Sequence, residues 1–278
     1  MSLKKNIFFT VDLEEWFHSN WFDTSYIFSK YFPDGLPDSD TRFTTSRLLD
    51  LCEKYDVHIT FFVLVNVIKR NPGLLEEITS RGHEVAIHGL EHLSILDLGP
   101  KEFKHQIHEA KNYIEKQIGE RVYGYRAPNF QINSEGIKII ESCGYKYDSS
   151  INPCLKIPGW YGNPAAPIHP YKIGQSIIEF PSSVYPLIRL PGAGGWYLRN
   201  LGTSWVKLLL GSLLARQDTA VFYIHPWELS DFNPELREVP FHVFRHTGEY
   251  VFNAIESILK KFSYCDFSKT LRDYLEEI

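Results

Sequence analysis

No apolar run in this 278-residue chain is long enough to cross a bilayer. The richest, around residues 205–215, is interrupted by Lys207 and falls short of the roughly 20 apolar residues a spanning helix needs. Basic blocks are missing as well. With 29 Lys and Arg against 34 Asp and Glu, the formal net charge is −5, which argues against nucleic acid or an anionic membrane as the main partner. Cysteine is sparse: Cys52, Cys143, Cys154 and Cys265 are scattered without C-x-x-C spacing. That pattern suits free thiols in a reducing compartment rather than a disulfide framework. The apolar stretch at the N-terminus is too short for a secretory leader and runs straight into Asp12, Glu14 and Glu15. No internal repeat, low-complexity tract or linker stands out. These absences point to one cytoplasmic domain without membrane insertion, and they leave its oligomeric state open.

What is present is a core-forming, aromatic-rich composition, 44% hydrophobic and 15% Phe, Trp and Tyr. Apolar runs alternate with helical patterns. Strands are expected at 6–11, 58–64, 84–88, 122–126, 145–148 and 219–225, and helices at 45–55, 72–81, 100–118, 134–144 (capped by Ser134), 203–215 and 247–262. Residues 152–176, rich in Pro, Gly, Trp and Tyr, read as an insertion loop, and PGAGGWYLR as a second loop. Such alternation implies an α/β fold, a parallel sheet or barrel with functional loops at the strand C-termini.

Chemistry-bearing residues fall at those strand ends. Asp12 and Glu14, in FTVDLEEW, share one face of an extended chain by period two. Two carboxylates that close repel, which a cation relieves; the plainer reading is acids complementing a helix dipole. His88 and His92, in VAIHGLEH, would share a face if they sat on a helical turn. Alone they read equally as two ordinary histidines. Two His and one carboxylate form a set that binds Zn²⁺, or another divalent transition metal, and leaves a position for water. Arg126 in GYRAP could grip a carboxylate or lie on the surface, while His225 in FYIHPWE could act as a general acid or be a buried structural group. Asp148 in YKYDSS is weakest, since an Asp after a strand is most often a turn former. The pair His105 and His108 falls on a charged helix and is discounted. His242 and His246 lie in a C-terminal loop.

These five segments, in this order, resemble the polysaccharide deacetylase superfamily, the NodB-homology domain of carbohydrate esterase family four. YRAPNFQI, IIEFPSS, PGAGGWYLR and FYIHPWE are further similar to a subgroup with a DUF3473-type C-terminal region, here about 226–278, found with exosortase and exopolysaccharide gene clusters. The resemblance implies a distorted (β/α)7-type barrel and removal of N-acetyl groups from a carbohydrate. It makes Asp12 the base, with Arg126 positioning it. Glu14, His88 and His92 become metal ligands and His225 the acid, its ring oriented by Asp148. Trp227, Trp196 and Tyr197 become candidates to stack on sugar rings. Two positions depart from the family pattern: Leu13 and Glu14 stand where a second adjacent Asp is usual, and Gly89 follows His88 where Ser or Thr is usual. A small amide or cyclic ureide is an alternative substrate, and a catalytically silent glycan-binding protein an alternative role.

Overall fold

A computed structural model describes residues 5–18, 21–232, 234 and 236–278. Its strands are β1 (Asn6–Leu13), β2 (Ile59–Leu64), β3 (Glu84–Gly89), β4 (Gly124–Tyr125), β5 (Tyr147–Asp148), β6 (Tyr171–Ile173) and β7 (Ile177–Glu179), then a hairpin of β8 (Val184–Tyr185) and β9 (Leu190–Pro191), and last β10 (Thr219–Ile224). The main sheet runs β10-β1-β2-β3-β4-β5-β7-β6. Every pairing is parallel except that of β6, which folds back antiparallel on β7. Seven parallel strands thus curl into the distorted barrel expected from sequence. Irregular backbone spans the open seam beside β10: Ser183 N–H donates to the Val221 carbonyl at 3.3 Å, and Tyr223 N–H to that of Ala193 at 3.0 Å.

The helices are α1 (Thr24–Tyr31), α2 (Thr41–Tyr55), α3 (Val65–Arg70), α4 (Leu74–Ser80), α5 (Ile95–Ile118), α6 (Ser134–Ser142), α7 (Gly195–Leu201), α8 (Thr203–Leu214), α9 (Glu249–Lys261) and α10 (Leu271–Leu275). In α5 the residues Phe103, Ile107, Ala110 and Ile114 recur every three to four positions and are buried, which is the stripe a surface helix turns to its core. This helix starts five residues before the expected Pro100. Ser94 and Asp97 form a capping box, and a kink at Gly99 (φ 73°) admits the proline. Asn133, not Ser134, caps α6, its side chain accepting from Gly136 N–H. The short elements α1, α3, α7, α10 and the hairpin carry too few periodic residues to be legible in sequence.

Period two decides which side chains reach the cleft. On β1, Ile7, Phe9, Val11 and Leu13 face outward into the large core shared with the helices. Phe8 faces inward and packs with Phe62, Ala86, Tyr147, Phe180 and Val221; truncating one of these buried Phe rings to Ala would cost about 3–5 kcal/mol. Helix α10 closes the bottom of the barrel, Leu271 N–H donating to Thr60 Oγ1 at 3.0 Å and Arg272 N–H to buried Glu84 at 3.1 Å. With the lower interior filled by apolar rings, the inward positions at the other end are free to be polar.

Candidate active site

Continuing inward along β1 from Phe8, the next positions are Thr10 and Asp12, both buried. Arg126, immediately after β4, is fully buried between them. Its Nη1 donates to Asp12 Oδ1 at 2.6 Å and to Thr10 Oγ1 at 3.0 Å, while Nε and Nη2 donate to the carbonyl and hydroxyl of Ser149. The guanidinium lies over the Phe62 ring, 4.1 Å from its centroid. With its donors engaged and its plane packed, Arg126 holds Asp12 in one orientation.

Beyond Asp12 the chain turns sharply, Glu14 N–H bonding the Asp12 carbonyl at 2.9 Å. Leu13 is the outward residue of the pair, so the extra position relative to the family pattern is absorbed by the core. The longer arm of Glu14 then places Oε1 2.7 Å from His88 Nε2 and 2.9 Å from His92 Nε2. The two histidines are not on a helical turn as expected. His88 ends β3, and a tight turn brings His92 back toward it. A Cβ at Gly89 would lie 2.5 Å from the Glu91 carbonyl oxygen, which explains a glycine where a hydroxyl residue is usual. His88 Nδ1 is 2.7 Å from the Arg126 carbonyl. That carbonyl can only accept, so Nδ1 carries a proton and Nε2 is the nitrogen turned to Glu14. Burial opposes charge on Glu14, but His92, His225 and the hydrogen bonds from His88 and His92 outweigh it and hold the carboxyl well below its usual range. Ligand atoms of Glu14, His88 and His92 lie within 4.8 Å of one another. An ionised carboxylate facing two imidazole nitrogens is a donor set that a divalent cation satisfies, displacing any proton held between them.

His225 follows β10 and enters the same cleft. Ligand atoms of Asp12, Glu14 and His225 also lie within 4.8 Å of one another. The group on His225 is not Asp148. Tyr147 fills the barrel interior, so its neighbour Asp148 points to the opposite face of β5. There Asp148 sits beside Glu179, its registered partner on β7, and accepts from Ser150 Oγ at 2.6 Å. The partner of His225 is Glu228, whose Oε2 is 3.1 Å from Nδ1 and accepts from the His225 N–H at 3.0 Å. Arg199 Nε donates to the other oxygen at 2.7 Å, and Arg199 Nη1 caps the carbonyls of Val243 and Arg245. Burial opposes the charge on Glu228, but Arg199 and His225 bring its carboxyl down to about 2. Burial likewise works against a cationic His225, yet Glu228, Glu14 and Asp12 raise it to about 9.

The cleft has a volume of about 610 Å³ and reaches Asp12, Glu14, His225 and Glu228. Its walls are aromatic: the expected Trp196, Tyr197 and Trp227 are joined by Trp21, Trp160, Tyr161 and Tyr223. Trp227 is the most buried of the expected three, stacked 5.7 Å from His225 and lying 5.0 Å from the Arg199 guanidinium. The insertion supplies Ile157, Pro158, Trp160 and Tyr161 as one wall, and Trp160 meets Trp21 edge-on at 4.4 Å. His18, also unforeseen, lines the cleft and stacks 5.5 Å from His92. Its Nδ1 accepts from Glu15 N–H, and burial, followed by the neighbouring His92 ring, lowers it to about 3, so it is neutral. His242 borders the cleft cluster, accepting from Trp196 Nε1 at 3.1 Å.

A family profile described as polysaccharide deacetylase matches residues 29–147, and one described as a domain of unknown function, DUF3473, matches residues 149–272. Residues 29–147 thus match the polysaccharide deacetylase family. The DUF3473 match takes in the second half of the chain, and strands from both matched stretches share one sheet. Among curated relatives, the peptidoglycan-N-acetylglucosamine deacetylase of Bacillus cereus is 30% identical over 41% of this chain and 52% of its own length. The peptidoglycan-N-acetylmuramic acid deacetylase PdaC of Bacillus subtilis is 37% identical over 33% of this chain and 20% of its own. The chain therefore spans about half or less of the length of these relatives. Solved folds cover it more fully. A structure from Mycobacterium smegmatis described as a polysaccharide deacetylase aligns over 100% of this chain and 92% of its own, with TM-score 0.68 and 19% identity. An allantoinase aligns over 99% and 91% with TM-score 0.67 and 12% identity, and a Bacillus anthracis pseudoenzyme of carbohydrate esterase family four over 100% and 67% with TM-score 0.58 and 13% identity. Against that background, Glu228 and Arg199 mark how this chain supports its His225: with a carboxylate three residues along the chain and a buried arginine behind it.

Proposed function

We propose that this chain is a metal-dependent hydrolase that removes the acetyl group from an N-acetylated sugar of a polysaccharide or its biosynthetic intermediate. The observation that carries the reading is the convergence, in one aromatic cleft, of Asp12 held by Arg126, the Glu14, His88 and His92 set, and His225 held by Glu228. Glu14, His88 and His92 would hold a divalent transition metal, zinc being the ion such a set suits. When bound, that ion polarises the acetyl carbonyl and acidifies a water. Asp12 accepts the proton of the attacking water, its lone pair aimed by Arg126. His225, cationic at neutral pH, gives its proton to the departing amine, and Glu228 keeps the imidazole oriented through the transfer. Trp196 and Tyr197 offer ring faces to the sugar, while Trp227, expected to do the same, packs between His225 and Arg199.

The names of the curated relatives, deacetylases of peptidoglycan N-acetylglucosamine and N-acetylmuramic acid, support the reaction class. The subgroup resemblance favours exopolysaccharide biosynthesis, and four cysteines scattered without C-x-x-C spacing fit a cytoplasmic setting. Acetate release from N-acetylhexosamine oligomers, measured with and without a chelator, tests the reading. Asp12→Asn should retain bound metal and lose about 10²–10⁴ in turnover. Retained turnover, or metal lost with the side chain, overturns these roles. Hydrolysis confined to cyclic ureides would reassign the substrate, and metal binding with no acetate released from any N-acetylated sugar would make the chain a silent binder.

A further inference from the structure

Beside the cleft lies a surface that the reaction does not use. The β8–β9 hairpin ends in Leu187 and Ile188, which are 65% and 55% exposed. Leu155, also exposed, is tied to the same hairpin by its N–H bond to the Arg189 carbonyl at 2.9 Å. Arg189 Nη1 in turn donates to the Ala166 carbonyl at 3.0 Å, fixing hairpin and insertion to each other. Behind the tip, Tyr185 stacks on Trp205 at 6.0 Å, and exposed Leu208 lies one turn further along that side of α8. The patch adjoins the cleft through Ile157, Pro158 and Pro191, each within three residues of an exposed aliphatic and each lining the cleft.

Charge along the stretch that carries this patch departs sharply from the chain average. Of the 34 acidic residues, Glu179 alone falls between positions 149 and 217, and it is fully buried. The same stretch carries Lys156, Lys172, Arg189, Arg199, Lys207 and Arg216, of which only Arg199 is buried. Lys156 is exposed next to Leu155. Protein interfaces usually mix both signs of charge around an apolar centre. The acid that reaches this stretch from outside, Glu141, is engaged by Gln175 and Ser176 near β6 and β7, and an aliphatic tip whose own stretch supplies cations and no exposed anion matches an acyl boundary beneath a layer of phosphates. We propose that this face docks on an anionic lipid surface, lying on the membrane rather than spanning it, and so presents the cleft to a glycan held there. The net charge of −5 conceals the asymmetry because the acids lie elsewhere.

The docking is independent of the reaction and is tested without substrate. The full chain is floated with vesicles of phosphatidylcholine alone and of phosphatidylcholine with phosphatidylglycerol, at low and high salt. Binding to the anionic vesicles alone is expected, weakening as salt rises. Leu187→Ser with Ile188→Ser should reduce it at least about tenfold, and Lys156→Glu by about fivefold or more. Urea unfolding of both variants should match the parent, since the side chains changed are exposed. Failure to float with anionic vesicles, equal floating with neutral ones, or unchanged binding by the Leu187 and Ile188 variant would overturn the proposal. So would a parent dimer that this variant dissolves, because the patch would then serve a second copy of the chain.

Discussion

Gly195 offers a test in which two physical effects predict opposite signs. It is the first residue of α7, where exchanging glycine for alanine ordinarily stabilises by about 0.5–1 kcal/mol. Here a Cβ would overlap the Glu228 carboxylate itself. That carboxylate is fully buried and cannot swing aside without giving up its bonds to Arg199 Nε at 2.7 Å and to the ring and backbone of His225 at 3.1 and 3.0 Å. Overpacking costs about 1–3 kcal/mol, and separating a buried ion pair about 3–5 kcal/mol; partial relaxation makes these alternatives rather than a sum. After the helix gain, Gly195→Ala should lose about 2–4 kcal/mol in urea unfolding followed by tryptophan fluorescence. Gly211→Ala, inside α8, provides the control: its Cβ would meet only the edge of Phe262 at 4.0 Å, so it should gain up to about 1 kcal/mol. Acetate release by Gly195→Ala should fall about 100-fold or more as His225 loses its partner. If both alanine variants are stabilised alike, the Glu228 carboxylate is not where the relay requires it.

His92→Ala removes one nitrogen from the proposed metal set and should weaken zinc affinity by at least about 100-fold, beyond the effect of losing an outer partner; competition with a chromophoric chelator measures it, and unchanged affinity would remove His92 from the set. The buried pair of Asp148 and Glu179 predicts a pH dependence of stability. Burial raises Asp148 to about 6 despite its hydrogen bonds, and burial together with the charge of Asp148 raises Glu179 well above its usual value. Both folded-state values exceed the unfolded ones, so the stability present near pH 4 is lost as pH rises through about 6 and beyond. Asp148→Asn should flatten that decline and be more stable than the parent at pH 8; an unaltered profile in urea melts at pH 4, 6 and 8 would show that the pair does not share a proton.

How much of the site is readable in the sequence follows from which groups obey a local rule. Asp12, His88, Arg126 and His225 terminate apolar runs, and a strand end is where a parallel barrel exposes polar side chains. Their convergence can therefore be anticipated without coordinates. Asp148 satisfies the same positional rule and yet misses His225, because position along a strand does not say which face a residue takes. Tyr147 occupies the interior at that level, and parity sends Asp148 outward. Glu228 stands in plain view in HPWE, but its role depends on a 3-10 turn folding it back onto His225, and without Arg199, 29 positions earlier, a buried glutamate there would have no counter-charge. Gly89 stands out in sequence only as a departure, although the crowding against Glu91 makes it the residue that lets two histidines meet without a helix. The net charge misleads for a related reason: a sum over the chain discards position, and here the position of the acids, all but one outside 149–217, carries the information. Local pattern thus locates groups at an end of the barrel, whereas the pairing of those groups, and the character of the surface beside them, depends on contacts between segments far apart in the chain.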